Sequence, residues 1–376
     1  MAENGIDPET ARGIYGQISA FTSFGFAESH ALSFALLVYA SAWLRLHYPA
    51  AFLAALLRAQ PMGFYSARTL VEDAQRHGVE VREPDVLRSG ADAMLEPKDP
   101  AAQPQPRAAS GLGSCLREKH DKVEDFDPGA DFDFAAHRRD PGFVVRLGLS
   151  SIKAIGKELA ERIVVERESG GDFLDLADLA RRVEPTAAQL EALATAGALE
   201  PLAEGRRAAL WEAGPAAAER QDQLPGTAAN YQAPMLPAFS EWDKLVADLN
   251  STGISPGDHP MGHLRPALNR RGVLRSNELK TAEPGRRVLV GGVVTHRQRP
   301  STANSITFIN LEDETGLVNV VCSQGAWKRF RRIVRESEGL LVRGILERSP
   351  EGVVNLLADH FEPLELMVPM KSRDFQ

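Results

Sequence analysis

The sequence has little cysteine, no membrane-length apolar run and no excess of positive charge. Its 376 residues include only Cys115 and Cys322, which excludes a disulfide framework and a cysteine-rich zinc site and fits a reducing cytoplasm. The first ten residues lack the positive and apolar regions of a signal peptide. The longest apolar run, residues 31–44, is interrupted by polar side chains and is shorter than the ~20 residues that span a bilayer. We therefore expect a cytoplasmic protein without membrane contact.

Positive charge is scarce overall but concentrated in one region. The net charge of −8 and the sequence pI of about 5.7 argue, by themselves, against a nucleic-acid-binding protein. Residues 286–348, however, contain 11 Lys or Arg and 6 Asp or Glu, a local balance of +5. This segment is therefore the candidate for contact with a polyanion.

The first part of the chain and its middle have the apolar spacing of helices. From residue 7 to about residue 86 the pattern is helical, with Ser29 as the expected N-cap of a long helix that ends before Pro49. The same spacing returns over residues 147–211 as several short helices.

Two connectors separate the helical segments from one another and from the C-terminal part of the chain. Residues 92–142 are rich in Pro, Ala, Gly and Asp, and they predict a flexible, mostly disordered insertion. A second Pro-rich connector, 214–237, leads into two predicted helices, 241–249 and 259–269.

From residue 286 the period changes to that of strands. Turn signals at Glu314–Gly316 and Pro350–Gly352 separate runs of Val, Ile and Leu. One helix, about 325–336, follows the third strand. Five strands with a helix after the third is the order of an OB-fold, a small barrel that binds single-stranded nucleic acids. The predicted strands are Arg287–Thr295, Ile306–Leu311, Leu317–Val321, Leu340–Leu346 and Val353–Ala358.

Residues 149–163 have the pattern of a helix-hairpin-helix. Its tight turn and second helix N-terminus can hold a DNA phosphate through backbone amides. Gly156 allows the turn, whereas Ala154 stands where glycine is usual, and an ordinary helical hairpin is the alternative. The predicted DNA-binding residues are Lys153, Ala154, Ile155, Gly156 and Lys157.

The barrel carries a second set of candidate DNA contacts. Cations after the first strand could reach a phosphate backbone, and aromatic rings could stack on bases. The alternatives are that Phe308 belongs to the core, that Trp327 caps the barrel end and that residues 328–335 are partly a solvated helix face. The candidates are Arg297, Arg299, Phe308, Trp327, Lys328 and Arg343.

One pair of aspartates has the spacing of a catalytic metal site. Asp131 and Asp133 have the spacing of carboxylates that bind two Mg²⁺ ions in polymerases. They lie in the Pro- and Gly-rich insertion, where no strand would hold them rigidly, so we expect no catalytic role. No other catalytic, phosphate-loop or metal-ligand spacing stands out.

Residues 21–49, FTSFGFAESHALSFALLVYASAWLRLHYP, resemble the fingers segment of the bacterial DNA polymerase III alpha-subunit family (C family). The continuations AFLAALL at 51–57 and QPMGFY at 60–65 are more similar to its error-prone branch, the DnaE/ImuC type. The resemblance resumes at 145–165, 311–316 and 372–375 and covers nearly everything except the two Pro-rich stretches.

The resemblance implies a multidomain C-terminal portion: an all-α fingers remnant and helix-hairpin-helix region, followed by an all-β OB-fold barrel. Members of the family place a palm with catalytic aspartates before the fingers, so Mg²⁺ and deoxynucleoside triphosphate are expected only in the full-length enzyme. This chain alone is then expected to hold no cofactor and to polymerise nothing. The implied units are fingers 1–88, disordered linker 89–142, hairpin region 143–213, linker 214–240, helical connector 241–285, OB-fold 286–366 and tail 367–376.

The resemblance also points to residues near the incoming nucleotide and to partner proteins. Ser29 and His30 match the family's Ser-His at a helix start that faces the triphosphate, although Glu28 replaces the usual lysine; alternatively, His30 only caps the helix. The stretches 223–225 and 232–239 loosely match a sliding-clamp motif. Clamp and mutasome proteins are therefore possible partners besides single-stranded template and primer-template DNA.

Two functions remain open from the sequence. The chain is either part of an error-prone DNA polymerase used in repair and translesion synthesis, or a stand-alone single-stranded-DNA-binding adaptor. A DNA ligase or an anticodon-binding enzyme is excluded because no nucleotidylation lysine motif or synthetase signature is present.

Overall fold

The computed structural model describes residues 7–24, 28–63, 65–99, 134–218, 233–300, 305–349, 353–366, 368, 370 and 372–375. Asp131 and Asp133 lie outside the described residues, as do the clamp-motif glutamines Gln223 and Gln232.

Four helices form the N-terminal unit: α1 (Pro8–Phe24), α2 (Glu28–His47), α3 (Pro49–Arg58) and α4 (Ala67–Arg76). Helix α4 begins where the Ser66 side chain accepts the Thr69 backbone N–H, which satisfies an amide that the helix leaves free. Helix α2 begins at Glu28, so the predicted N-cap Ser29 lies inside its first turn. The helix therefore begins earlier than predicted, a small difference at a helix end, where terminal turns fray.

A three-stranded sheet with the order β1-β3-β2 packs against α3. Its strands are β1 (Val81–Arg82), β2 (Met94–Pro97) and β3 (Phe143–Arg146), and a short helix, α5 (Phe134–His137), precedes β3. Strand β3 is parallel to β1 and antiparallel to β2.

The prediction of a disordered linker over residues 89–142 is therefore wrong at both ends of this range. Residues 94–97 form β2, and the Asp140 side chain accepts the backbone N–H groups of Ala50 (2.8 Å) and Ala51 (3.2 Å) at the start of α3. Composition could not reveal this order, because β2 obtains its hydrogen bonds from a strand almost 50 residues later in the chain.

The hairpin region is a helical unit with its own apolar core. A 3₁₀ turn (Leu149–Ser151) is followed by α6 (Lys157–Gly170), α7 (Leu176–Val183), α8 (Ala187–Thr195) and α9 (Arg206–Ala216). Leucine, isoleucine and alanine side chains from all of these elements pack together. The first of the two helices expected in the hairpin motif is only this 3₁₀ turn.

A buried arginine connects this unit to its neighbours. Arg206 on α9 donates to Glu83 (2.5 Å), Glu200 (2.7 Å) and Asp248 (2.5 Å). Asp248 belongs to α10 (Glu241–Ser251), which is followed by α11 (Pro260–Arg270) and the short strand β4 (Val273–Leu274). Acids from three segments thus compensate one buried cation.

The C-terminal unit is a closed five-stranded barrel, and the OB-fold prediction is confirmed. Its elements are β5 (Arg287–Gln298), β6 (Thr307–Asp313), β7 (Gly316–Cys322), α12 (Gln324–Glu336), β8 (Gly339–Arg348) and β9 (Val354–Leu364). The order β5-β6-β7-β9-β8 closes through β5–β8 pairing. Alternate residues of each strand fill the interior.

The expected C-terminal tail contributes to this sheet. Residues Arg373–Phe375 form β10, which pairs in parallel with residues 296–298 of β5. Within the described parts of the chain, no helix is both long enough and apolar enough to cross a membrane.

Candidate nucleic-acid interface

The hairpin turn presents uncapped backbone amides at the surface. Ala154 adopts a left-handed conformation with φ of +71°, which costs a non-glycine residue about 1–2 kcal/mol. Gly156 precedes α6 and its N-cap position has no side-chain hydrogen bond. Because 156–158 are exposed, the first N–H groups of α6 can meet an anion from solvent.

Both lysines of the turn already have partners. The Lys153 ammonium donates to the carbonyl of Asn250 on α10, and the Lys157 ammonium lies 3.7 Å from Asp92. Glu158 adds a negative charge in the same helical turn. The hairpin therefore offers backbone dipoles with little net positive charge, and Ile155 is buried and contributes to the core.

Arg297 is misassigned by the sequence as a DNA contact. Its side chain is buried, and it donates to the carbonyls of Val334 (2.6 Å) and Ser337 and to the hydroxyl of Ser372. These bonds join β5 to the end of α12 and to the C-terminal segment. Arg297 lies within β5 and is a structural residue of the barrel, a role that its predicted position after the first strand could not reveal.

Trp327 and Arg299 form one unit at an end of the barrel. Trp327 is half-buried and packs against the barrel core. The Arg299 guanidinium lies 5.0 Å from the centroid of its ring, a distance at which the cation is attracted by the ring face. Arg299 itself is exposed.

Phe308 lies on the outer face of β6 and is 38% exposed. On β7, Val321 is its register partner, and both rows of side chains alternate between the barrel interior and this face. A partly exposed ring on the outside of a nucleic-acid-binding type of barrel is available for stacking.

The sequence candidates missed a row of amides beside Phe308. Asn310, Asn319 and Asn355 lie opposite one another on three adjacent strands, β6, β7 and β9. None of the three side chains hydrogen-bonds to another described residue. An amide has two donors and an acceptor, so the row suits base edges. The polar residues alternating with Ile, Leu and Val were its only sequence signal.

The other barrel candidates differ in how much charge they offer. Arg343 is exposed, but its guanidinium is 2.8 Å from Asp359, which also binds Arg287 at 2.8 Å. Lys328 is exposed on α12 and makes no ion pair with another described residue.

Ser29 and His30 are exposed at the start of α2. The Ser29 carbonyl accepts the hydroxyl of Ser33 at 2.8 Å, and the His30 ring packs edge-on against Phe34, with centroids 4.5 Å apart. Both contacts are internal to the helix, so a nucleotide-facing role for these two residues stays a prediction.

A buried cluster between α4, α11 and β6 combines the residue types of a metal site. One ligand atom each of Glu72, His259 and Glu312 lies within 4.8 Å of the other two. The His259 Nδ1 atom, however, accepts the backbone N–H of Met261 at 3.2 Å, so the proton of the neutral ring is on Nε2, the atom that faces the carboxylates. A protonated nitrogen cannot bind a metal, and this arrangement favours a proton-sharing cluster.

The protonation of this cluster follows from its burial. Burial, together with the neighbouring Glu312, raises the pKa of Glu72 well above its ordinary value. Although burial opposes it, the hydrogen bond with Glu72 and the guanidinium groups of Arg68 and Arg76 hold the pKa of Glu312 below its ordinary value. One proton on Glu72 therefore satisfies two facing carboxyl oxygens that otherwise have no partner.

Comparison with known proteins agrees with the assignment of the hairpin region and the barrel. A family model described as a helix-hairpin-helix motif matches residues 78–209, and one described as an OB-fold nucleic acid binding domain matches residues 288–364. The error-prone DNA polymerase of Cutibacterium acnes is 54% identical over 380 residues. Those of Nocardia farcinica and Mycobacterium tuberculosis are 47% and 44% identical. Each alignment covers 100% of this chain but only 33%, 30% and 30% of the relative.

Proposed function

We propose that this chain, which matches error-prone DNA polymerases along its whole length, is a DNA-holding portion of such an enzyme. It spans about a third of the length of the relatives that it matches. The whole protein would copy damaged DNA in repair, and this portion would bind the template and primer near the reaction.

The observation that carries the proposal is the outer face of β6 and β7. Phe308 provides a ring for stacking, and the uncommitted amides of Asn310, Asn319 and Asn355 provide neutral hydrogen-bonding groups. Bases of a single strand are unpaired and offer both their faces and their edges to a protein. The hairpin would add a second, weaker contact to a phosphate through the amides of α6.

Binding of single-stranded DNA by the purified chain tests this site. Phe308→Leu keeps an apolar side chain but removes the ring, and we expect a loss of about 1–3 kcal/mol of binding free energy, measured by fluorescence anisotropy with a 15-nucleotide oligothymidine. Tyr15→Leu removes an exposed ring from α1 and is the matched control. Unchanged affinity of the Phe308 variant, with its melting temperature preserved, would argue against this face.

We also propose that this chain alone does not join nucleotides. Primer extension with the purified chain, Mg²⁺ and deoxynucleoside triphosphates is then expected to give no product. Extension that disappears in an Asp131→Asn, Asp133→Asn variant would overturn this proposal.

A further inference from the structure

Helix α12 carries an exposed group of cations. Five Lys or Arg residues and one acid occupy its 13 residues, in a chain whose net charge is −8. Only one ion pair, between Arg332 and Glu336 (3.1 Å), occurs among them within the described residues. The exposed cations, called here the α12 basic face, are Lys328, Arg329, Arg331, Arg332 and Arg335.

The orientation of this helix is fixed by its opposite side. Trp327, Phe330, Ile333 and Val334 pack against the barrel core, and the Phe330 ring contacts Phe361 of β9, with centroids 5.8 Å apart. Ser323 caps the first turn by accepting the Ala326 N–H. The cations are thus held on the outside by packing, even though the helical conformation is interrupted at Phe330.

Most other cations of the barrel already have partners. Arg287 and Arg343 share Asp359, Arg297 is buried, and Arg348 donates to the carbonyls of Leu279 and Ala282. The α12 basic face therefore holds most of the barrel's exposed cations that have neither an ion pair nor a side-chain hydrogen bond with another described residue.

Helix α12 begins next to the face of the barrel that carries Phe308. Phe308 lies opposite Gln298 on β5 and Val321 on β7. Arg299 follows the first of these partners in the chain, and Ser323, the N-cap of α12, comes two residues after the second. The Arg299–Trp327 stack therefore lies at the strand ends nearest Phe308, where α12 begins.

We propose that the α12 basic face binds the phosphates of the single DNA strand whose bases lie on Phe308 and the asparagine row. This inference rests on the proposed function and adds the path of the strand beyond the β6–β7 face. An acidic protein segment would be attracted by the same charges, but it has no bases to stack on the adjoining ring or to hydrogen-bond to the amides. A continuous strand uses both.

The test is a triple variant in which three cations of α12 become glutamine: Lys328→Gln, Arg331→Gln and Arg335→Gln. Each lost phosphate contact lowers the slope of log affinity against log salt by about 0.7 for a single strand. We expect the slope for a 15-nucleotide oligothymidine to fall by about 2, with a loss of affinity of about 10- to 100-fold at 0.1 M salt. The control is the triple variant Arg58→Gln, Arg270→Gln and Lys280→Gln. These three cations are exposed and lie outside α12, so the control removes the same net charge.

The outcomes separate the two proposals. If the control variant loses as much affinity and slope as the α12 variant, the effect is one of total charge, and the α12 proposal is wrong. If Phe308→Leu weakens binding but the α12 variant retains the parent slope, the strand leaves by another route and the proposed function stands. If neither variant affects binding, both proposals fail. Circular dichroism melting of each variant confirms that the barrel remains folded.

Discussion

Arg76 on α4 donates to Glu312 on β6 at 3.0 Å, across 236 residues of sequence. The Glu312 side chain is completely buried. Glu72, one helical turn before Arg76, faces the same carboxylate with a raised pKa. The N-terminal helices are therefore joined to the barrel by a charged, proton-dependent contact, and its stability should depend on pH.

The first prediction concerns the alkaline side. An acid whose pKa is higher in the folded than in the unfolded state holds an extra proton in the fold, so the free energy of unfolding falls as pH rises between the two values. Glu72→Gln mimics the protonated acid and should remove this fall. Urea unfolding from pH 5 to 9 measures it. The exposed Glu191→Gln variant should keep the parent slope; a parent-like slope in Glu72→Gln would contradict the proton-sharing pair.

The second prediction concerns the acidic side. Burial lowers the pKa of His259 from 6.5 to about 4. Below pH 6.5 the unfolded chain gains a proton that the folded chain refuses, so stability should decrease as pH falls from about 6.5 to about 4. His259→Asn preserves an N-cap acceptor for α11 but cannot titrate. This variant should show a smaller decrease in a urea unfolding titration from pH 7 to pH 4, and an equal decrease would assign the effect to another group.

The third prediction concerns the hairpin turn. Ala154→Gly relieves the left-handed strain but gains unfolded-state entropy, so we expect a net stabilisation of up to about 1 kcal/mol. It also removes a methyl group from the phosphate approach, and affinity for primer-template DNA should rise. Ala192→Gly, inside α8, should instead destabilise by about 1 kcal/mol. A destabilised Ala154→Gly variant would show that the turn is not strained.

The fourth prediction separates structure from DNA binding. Arg297→Gln leaves the buried carbonyl of Val334 and the partly buried carbonyl of Ser337 without their donor, and we expect a loss of about 2–3 kcal/mol of stability. Below the melting transition, the salt slope of DNA binding should equal that of the parent. A lowered slope in folded protein would restore Arg297 as a phosphate contact.

The units that depend on local pattern could be predicted from the residues alone. The change from helical to strand period fixed the barrel and its helix, because alternation along each strand reports which side chains are interior. Gly156 and the apolar spacing around it located the hairpin. The segment 21–49 carried the family resemblance.

Which of the candidate side chains are available for binding depends on contacts that form only in the folded chain. Arg297 and Arg299 are two residues apart and look equivalent in sequence. Arg297, however, is buried and hydrogen-bonded to carbonyls that are remote in sequence, whereas Arg299 is exposed and lies over the ring of Trp327. The row Asn310–Asn319–Asn355 exists only through strand register. The pKa of Glu72 is raised because folding buries its carboxyl group beside Glu312, away from water. Burial and pairing depend on contacts between remote segments, and these are absent from any local pattern.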